Sequence, residues 1–411
     1  MTDASLSHAD GATFHTNTDN TDNTDNDSPK IAIIGGGLTG LLTATLLERA
    51  FTEQNNRATT HRGLPQITLF EKSRSVGRLA ARYRTDEHTH KNWQWAFGAQ
   101  FFTAKSEDFL HFIQPWLKSG VIQPWCAQVV ALTPTNKSQQ APTIHKEGCW
   151  DTTQPRYIST PKMTNWGRAL ANELQFSHIA FKTHVAPLTT QKNQDMRSEL
   201  FDDSGVSLGI FDWVICTAPN AQAAELMADS GFTEQTAILQ PKMQGCYTLM
   251  LGWDSAAQLP ETLKNTDSPW DVAYVKDSIL DRIFVEHQKP AHGALLPSVT
   301  LHARNDWSEM HIDDDIERMQ AELLVAAKQA LSWHDETMPT QMDCHRWRYA
   351  ATVVIATDTN TNTKELGILV DNKHNLIVSG DWCGQGNIES CYRMAADTVE
   401  VVVNAYYQNN D

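Results

Sequence analysis

Three glycines near the start of the chain stand at a spacing that suits phosphate chemistry. Gly35, Gly37 and Gly40 give the pattern G-x-G-x-x-G directly after a run of four apolar residues. In a dinucleotide site, Gly35 permits the tight turn from strand to helix, and Gly37 lets the backbone approach a pyrophosphate. Gly40 lets the helix pack closely against the strand, and the helix N-terminus directs N–H groups at the phosphates. The alternative is a structural turn that binds nothing.

A carboxylate follows at the place where such a site needs one. Glu71 comes directly after the apolar run Ile67–Phe70, which predicts a second strand. An acidic residue at the end of this strand accepts hydrogen bonds from ribose hydroxyls and disfavours a 2′-phosphate. Glu71 lies further from the glycines than the usual ~20 residues because a polar stretch, Asn55–Leu64, precedes its strand. A surface glutamate is the alternative interpretation.

Basic and small residues further along indicate a second end of the ligand. Arg78 and Arg82 can reach phosphate oxygens, which a ligand with a second phosphate-bearing half requires. Gly98 and Ala99 are small enough for the backbone to lie against a flat ring. A second strand-to-helix turn stands at Gly380–Asp381, far from the first. The residues therefore predict a two-ended dinucleotide site, with a solvated loop and buried core segments as the alternatives.

Composition limits the partners and the location. The chain has 411 residues, 41% of them hydrophobic, which suits two domains or one two-lobed unit. A net charge of −16 argues against nucleic-acid and anionic-membrane partners. The seven cysteines are scattered without a C-x-x-C pair, so no metal site is predicted. Free thiols suit a reducing cytosol, and no signal peptide or ~20-residue apolar run is evident, so we expect a cytoplasmic protein.

The remaining patterns predict the elements that position these residues. A polar leader, residues 1–28, contains the tract Thr16–Asp27, whose lack of apolar residues predicts disorder. Strict helical spacing predicts a helix over Asp313–Leu331. Alternation of apolar and polar residues predicts antiparallel strands, which would form a sheet over the ligand. These strands fall within Gln244–Trp253, Asp271–His287 and Ser298–Ala303.

Six motifs, distributed along the chain, belong together. They are Gly35-Gly-Gly-Leu-Thr-Gly40, Glu71-Lys-Ser-Arg74, Gly77-Arg78, Gly98-Ala-Gln-Phe-Phe-Thr103, Arg346-Trp-Arg-Tyr-Ala350, and Gly380-Asp-Trp-Cys383 with Glu389. With these motifs the sequence resembles FAD-dependent oxidoreductases of the glutathione-reductase and amine-oxidase superfamily. Within that superfamily it resembles the bacterial renalase-like branch. The matches extend from residue 30 to residue 400.

The resemblance implies an α/β fold with two domains. One is a Rossmann-like FAD-binding domain, built from the discontinuous segments 30–104, 175–240 and 346–405. The other is a mostly antiparallel-sheet substrate domain, built from 105–174 and 241–345. The cysteine motif through which monoamine oxidases hold their flavin covalently has no match here. The resemblance therefore implies non-covalent FAD.

The resemblance also assigns site residues. The implied cofactor-binding residues are Gly35, Gly37, Leu38, Thr39, Gly40, Glu71, Lys72, Arg78, Gly98, Ala99, Gln100, Val185, Gly380, Asp381, Ile388 and Glu389. Val185 comes from the segment Thr183–Leu188, which resembles the strand that meets the adenine. The implied substrate-pocket residues are Phe101, His345, Trp347 and Tyr349. His345 is an acid or base in one interpretation and a histidine satisfied by hydrogen bonds in the other. No catalytic residue is assigned.

The sequence departs from the family pattern in four places, one of which is Glu389-Ser-Cys391, where the family has Glu-Gly-Ala. Val76 replaces a glycine, Ala96 replaces an acidic residue, and Met394-Ala395 replaces a Ser-Gly pair. The replacements are mostly small, so the fold should be retained. They leave the substrate and the rate open.

The activity implied by the resemblance is hydride transfer to flavin N5, followed by reoxidation by oxygen to give hydrogen peroxide. The first candidate substrate is a misreduced isomer of NAD(P)H, and an amine is the rival. A non-catalytic FAD-binding protein and an NAD-dependent dehydrogenase are the alternatives from other classes. The expected partner is a small molecule, and the residues assign no oligomeric state.

Overall fold

Two large β-sheets, one mostly parallel and one mostly antiparallel, organise the chain. The computed structural model describes residues 28–57, 63–74, 77–134, 141–190, 197–264, 269–333, 337–353 and 365–408. The predicted leader, apart from Ser28, and the departure at Val76 lie outside these residues. The sheets give the α/β class that the motifs predict.

Nineteen strands are present in the described residues. They are β1 (Lys30–Ile34), β2 (Gln66–Glu71), β3 (Ala81–Thr85), β4 (Asn92–Ala96), β5 (Ile122–Pro124), β6 (Gln128–Thr133), β7 (Thr143–Cys149), β8 (Tyr157–Ser159), β9 (Ser177–Phe181), β10 (Ser198–Phe201), β11 (Ser207–Phe211), β12 (Trp213–Cys216), β13 (Met243–Gly252), β14 (Val272–Val275), β15 (Leu280–Val285), β16 (Ser298–Ala303), β17 (Gln341–Thr352), β18 (Leu369–Asp371) and β19 (Leu376–Val378).

The helices alternate with these strands. They are α1 (Leu38–Arg57), α2 (Glu107–Lys118), α3 (Thr164–Glu173), α4 (Asn220–Met227), α5 (Gln235–Ile238), α6 (Glu261–Lys264), α7 (Asn305–Met310), α8 (Ile316–Leu331) and α9 (Ile388–Gln408). No helix within the described ranges combines the length and the apolar character that crossing a bilayer would require.

The first sheet has the strand order β18-β19-β12-β1-β2-β9. Its strands run parallel except for the antiparallel pair β18 and β19. Ile31, Ala32 and Ile33 of the central strand are fully buried, as expected of a parallel sheet covered on both faces. Because parallel strands end at the same edge, the turns that follow β1, β2, β12 and β19 meet there.

Helices cover both faces of this sheet. On one face α1 and α9 pack side by side, and the ring of Phe51 lies 5.4 Å from that of Tyr406 near their C-terminal ends. On the other face Ala223 of α4 and Ile238 of α5 share an apolar cluster with Ala32. The first sheet is therefore the middle layer of three.

The second sheet has the order β17-β13-β16-β15-β14-β6-β7 and is antiparallel except between β14 and β6. One face packs against α8, where Leu323 and Ala327 join the same apolar cluster as Leu249. The other face receives the hairpin of β3 and β4. Trp93 and Trp95 of this hairpin are buried, and their ring N–H groups donate to the carbonyls of β13 and the residue after it.

One predicted helix boundary needs correction, and one predicted domain boundary crosses a strand. The helix predicted from Asp313 begins at Ile316, because the carboxylate of Asp315 accepts N–H bonds from Glu317 and Arg318 and caps the helix. The domain boundary predicted at residue 346 falls inside β17, a continuous strand of the second sheet.

The strand predicted at Thr183–Leu188 is wrong. The edge strand of the first sheet is β9, which ends two residues before this segment and pairs in parallel with β2. In the predicted segment Val185 makes one isolated bridge, to Asp202. Pro187 has no N–H to donate to a ladder, which disfavours regular pairing there.

Candidate cofactor and substrate site

The glycine turn after β1 is tight on one side and open on the other. Gly35 adopts φ +115°, which favours glycine, and its N–H donates to the carbonyl of Phe70 at 2.9 Å. A Cβ on Gly40 would overlap the carbonyl oxygen of Gly35, so α1 starts this close to β1 only with glycine there. A Cβ on Gly37 would meet no described atom within 4 Å. The open space at Gly37 is where a ligand can approach the main chain.

The N-termini of α1 and α9 lie together at this edge. The first turn of a helix leaves N–H groups without intrahelical acceptors, and Leu38 and Thr39 stand in that turn of α1. The hydroxyl of Thr39 interacts with the thiol of Cys391, in the first turn of α9 after Ile388. Two positive helix ends therefore face one region, which favours an anionic group.

Glu71 holds the glycine turn to the end of β2. Its Oε2 accepts the N–H of Gly36 at 2.8 Å, and its Oε1 accepts the N–H of Ser73 at 2.7 Å. Each carboxylate oxygen retains a further lone pair that could accept a hydrogen bond from a ribose hydroxyl. The ribose contact itself stays a prediction. The neighbouring Lys72 directs Nζ to Gln222 of α4, 3.0 Å away.

Val185 is reached from the same end of β2. The N–H of Thr183 donates to the carbonyl of Glu71 at 3.0 Å, so the chain passes this edge two residues before Val185. The side chain of Val185 is buried. Although the predicted strand is wrong, the residue stands near the carboxylate predicted to bind the ribose.

Arg78 and Asp381 join the loop after β2 to the turn after β19. The guanidinium donates to the Asp381 carboxylate, and its Nη1 donates to the carbonyl of Ala350 at 3.3 Å. Burial alone would lower the pKa of Arg78. The charge and hydrogen bond of the Asp381 carboxylate outweigh the effect of burial, so the pKa of Arg78 lies above its ordinary value. Two residues predicted at separate phosphate and ribityl contacts thus form one ion pair.

The segment after β4 packs on Arg78. A Cβ on Gly98 would overlap the carbonyl oxygen of Arg78, and the N–H of Ala99 donates to that oxygen at 2.9 Å. Gln100 follows, buried, with its amide donating to the carbonyl of Ala96. The predicted Gly-Ala-Gln contact therefore lies directly beside the ion pair of Arg78.

The turn before α9 uses Glu389 differently from the prediction. The carbonyl of Asp381 accepts N–H bonds from Gly384 and Gly386, which closes the turn after Gly380. The carboxylate of Glu389 accepts the N–H groups of residues 105 and 106 at 3.0 and 2.7 Å, and Ser106 is the N-cap of α2. The Glu389 side chain therefore anchors α2, which leaves its main chain for the predicted ligand contact.

Three predicted pocket residues lie on one edge strand, β17. The rings of His345 and Trp347 lie 4.4 Å apart, and both contact Phe97, at 4.8 and 5.4 Å. Tyr349 is half-buried two residues further on. Burial and the charge of Arg82 lower the pKa of His345 to about 4, so the ring is neutral at pH 7. His345 therefore has a packed aromatic environment.

Phe101 belongs to a different aromatic group. Its ring lies 4.6 Å from that of Trp150 and 6.4 Å from that of Phe284 on β15. Gln100 and His302 stand between this group and β17, with Gln100 Nε2 3.3 Å from His302 Nε2. The four predicted pocket residues thus form two groups on the same face of the second sheet.

The sequence patterns missed a buried ion pair in this face. Nζ of Lys289 lies 2.9 Å from Oε2 of Glu286 and donates to Oε1 of Gln100 at 2.6 Å. Thr300 donates to the other carboxylate oxygen at 2.6 Å. Burial lowers the pKa of Lys289, although Glu286 opposes that shift. Beside Gln100, Lys289 and His292 lies a cavity of about 10 Å³, close to what one water molecule needs.

The donor set suits a dinucleotide with a diphosphate. The open side of Gly37, the first turn of α1 and the cation Arg78 offer donors to phosphate oxygens, and Glu71 and Asp381 offer acceptors to hydroxyls. No cluster of His, Cys, Asp or Glu in the described part of the chain is arranged to hold a metal ion. The residues therefore fit FAD at both of its ends.

Comparisons with known proteins agree with this fold. Residues 33–115 match a family model described as an NAD(P)-binding Rossmann-like domain. Three solved structures are similar over 92% of this chain and 99% of their own. A protein assigned as a protoporphyrinogen oxidase from Exiguobacterium sp. 255-15 has a TM-score of 0.64 at 14% identity. Cyclohexylamine oxidase from Brevibacterium oxydans IH-35A has 0.63 at 10%, and putrescine oxidase bound to putrescine has 0.59 at 9%. The chain therefore shares its two-sheet fold, with a Rossmann-like segment at its start, with these oxidases.

Proposed function

We propose that the protein is an FAD-dependent oxidoreductase of the oxidase type, which takes a hydride from a small reduced molecule and passes the electrons to oxygen. The observation that carries this proposal is the meeting of two helix N-termini at one sheet edge, with an open main-chain face at Gly37. The ion pair of Arg78 and Asp381 brings the second strand-to-helix turn to the same edge. An overall fold shared with three oxidases supports the same activity.

In this proposal the chain supplies binding, orientation and a dry pocket. Main-chain N–H groups of Gly37 and the first turn of α1 hold the diphosphate, together with Arg78. Glu71 and Asp381 accept hydroxyl groups, and Ala99 presents its backbone to the ring. Non-covalent FAD, when bound, supplies the hydride acceptor and the reaction with oxygen. The discontinuous cofactor domain and the substrate domain are part of this proposal.

The pocket face would exclude water from the reacting atoms. Phe101, Trp347 and the rings around them bury apolar area beside Gln100, and His345 is neutral at pH 7. Such a pocket favours the transfer of a hydride over the loss of reactive intermediates to water. No protein acid or base is needed when the substrate is already a dihydropyridine.

The favoured substrate is a misreduced dihydronicotinamide nucleotide, as in the renalase-like enzymes that the sequence resembles. The proposed location of the protein is the cytoplasm. The second candidate is an amine, because two of the similar structures carry amines in their names, putrescine and cyclohexylamine. A non-catalytic FAD-binding role is the third. The substrate that bleaches the flavin separates the first two candidates, and the fate of reduced flavin in air separates both from the third.

An absorption spectrum of the purified protein tests the proposal. We expect flavin bands that bleach anaerobically with one dihydronicotinamide isomer and return with air, with release of peroxide. If amines bleached the flavin and no dihydronicotinamide isomer did, the substrate would be an amine and not the favoured nucleotide. Photoreduced flavin that persists in air would indicate the non-catalytic role, and a colourless protein that takes up no added FAD would refute the proposal.

Two glycine variants separate the binding site from the fold. Gly37→Ala adds a methyl group to open space at the proposed phosphate contact, so we expect FAD affinity to fall at least tenfold while the flavin-free protein unfolds as before. Gly40→Ala is the matched control, because its methyl group overlaps a backbone oxygen and should destabilise the flavin-free protein. Equal FAD affinity in Gly37→Ala and the natural protein would contradict this assignment of the phosphate.

A further inference from the structure

A row of mostly polar side chains crosses the pocket-facing side of the second sheet. Each member lies directly opposite the next in the strand register, from β17 through β13, β16 and β15 to β14. The members are His345, Thr248, His302, Arg282 and Tyr274. Residues directly opposite each other in neighbouring strands point to the same face of a sheet, so the five side chains form one stripe.

This stripe faces the candidate site and not the helices behind the sheet. The hydroxyl of Thr248 donates to the carbonyl of Phe97 at 3.1 Å. The ring of His302 lies beside the amide of Gln100, at 3.3 Å, and 5.4 Å from the ring of Phe284. Residues that the motifs assign to the flavin and residues of the stripe are therefore direct neighbours.

Arg282 is one of several cations around this face that have a carboxylate partner, which for Arg282 is Asp281. Three of them are held by carboxylates in the pairs Arg78–Asp381, Arg82–Asp343 and Lys289–Glu286. Nε of Arg282 is buried and lies 3.1 Å from Asp281 Oδ2 without forming a hydrogen bond. Within the described ranges, no acceptor takes a hydrogen bond from either Nη group of Arg282. Its guanidinium carbon lies 5.2 Å from the ring centroid of Tyr274, and the side chain is 38% exposed, so a ligand can reach it.

The electrostatics of the stripe favour a negative ligand. Burial, together with the charges of Arg282 and Lys289, lowers the pKa of His302 to about 3. Its ring is therefore neutral at pH 7 and can accept or donate one hydrogen bond. The nearest buried carboxylate, Glu286, is already bound by Lys289 and Thr300. Although Asp281 lies 3.1 Å from its Nε, Arg282 still offers unused Nη donors to an anion, whereas an ammonium group would meet the guanidinium and Lys289.

We propose that Arg282, with His302 beside it, is an anion subsite, so that the molecule oxidised at this face carries a carboxylate or a phosphate group. The inference rests on the proposed function for the reaction, but the subsite itself depends only on the pocket face and on the unused Nη donors of Arg282. It makes Arg282 a specificity-determining residue that favours phosphate-bearing nucleotides or carboxylates over simple amines.

The test is a binding measurement on the flavin-loaded protein, followed by flavin absorbance and tryptophan fluorescence. Nicotinamide mononucleotide is compared with nicotinamide riboside, which lacks the phosphate, and benzoate is compared with benzylamine. The variants are Arg282→Gln and the conservative Arg282→Lys. Arg318→Gln is the matched control, because Arg318 is an exposed residue of α8, on the other side of the sheet, paired with Glu322.

We expect the natural protein to bind at least one anionic probe tenfold or more tightly than its counterpart. The arm with the larger ratio identifies phosphate or carboxylate as the recognised group. Arg282→Gln should abolish the preference, Arg282→Lys should retain part of it, and Arg318→Gln should leave it unchanged. In turnover, Arg282→Gln should raise KM tenfold or more with kcat within twofold, a split that general misfolding does not produce.

The subsite would be overturned if neither anionic probe bound more tightly than its counterpart, or if the preference were unchanged in Arg282→Gln. Because binding is measured without turnover, the anion subsite and the oxidase function can be refuted independently of each other. A protein that binds anions through Arg282 but oxidises nothing would overturn the oxidase function alone. A protein that oxidises substrates without regard to charge would overturn the subsite alone.

Discussion

Replacing Lys289 by methionine is expected to destabilise the protein far more than the loss of an exposed lysine. Lys289 and Glu286 lie three residues apart with Nζ 2.9 Å from Oε2, and their side chains are 3% and 0% exposed. Without Lys289, the carboxylate keeps only the hydroxyl of Thr300 as a side-chain donor among the described residues. A buried charge left without its partner costs about 3–5 kcal/mol of unfolding free energy.

The chain provides a matched control for this change. Lys264 and Glu261 also lie three residues apart, also with a separation of 2.9 Å, but their side chains are 30% and 72% exposed. Solvent screens such a pair, so Lys264→Met should cost less than about 1 kcal/mol. The two variants therefore differ in burial and share the chemical change.

The assay is denaturant unfolding of the flavin-free protein, so that cofactor affinity does not enter the comparison. The double variant Lys289→Met, Glu286→Leu removes both charges and should recover most of the loss, with a coupling of at least about 2 kcal/mol. The reasoning would be refuted if Lys289→Met cost no more than Lys264→Met, or if the double variant were as unstable as the two single losses added together.

Two pH dependences follow from other groups. Burial would raise the pKa of Glu389, but hydrogen bonds from Ser106 and its neighbour Lys105 hold that pKa below 4.5. The carboxylate therefore stabilises the fold fully above pH 4.5, and this stabilisation is lost as the pH falls through the lower pKa of the folded state. Thermal unfolding between pH 3 and 7 should show a smaller acid loss for Glu389→Gln, and parallel curves would contradict this. The pKa of His345 is about 4, so the rate should show no histidine inflection between pH 5 and 8; an inflection near 6.5 that His345→Gln removes would disprove it.

The parts of the site that depend on neighbours in the chain were predictable. Gly35, Gly37 and Gly40 act within one strand-to-helix turn, and Glu71 follows the next strand, so spacing alone fixes where they stand. The turn at Gly380 was predictable for the same reason. In each case, the apolar run before the turn makes the strand, and parallel strands bring their ends together.

The parts that depend on contacts across the fold were not predictable. Lys289 follows a half-buried strand among ordinary polar residues, and only the packing of Gln100 and Glu286 on it makes it a buried cation. Glu389 suggested a ligand contact because of its helix position, but nothing in the sequence indicates that α2 begins beside it. Arg282 and His302 become neighbours only through the register of two antiparallel strands, which shifts between Leu280 and Arg282 in a way that the sequence does not indicate.

The order of the strands along the chain also determines when, during synthesis, the candidate site can form. β1 is made early, but one of its neighbours, β12, comes some 180 residues later, and β19 and α9 come near the end of the chain. At about 5–20 residues per second, synthesis separates Gly37 from Asp381 by tens of seconds. The apolar strand β1 therefore lacks its sheet neighbour β12 and the covering helix α9 for much of synthesis, and the candidate site is complete only after α9 has been made. Non-local pairing of this kind folds slowly, so partly folded chains expose apolar strands for longer and depend more on chaperones.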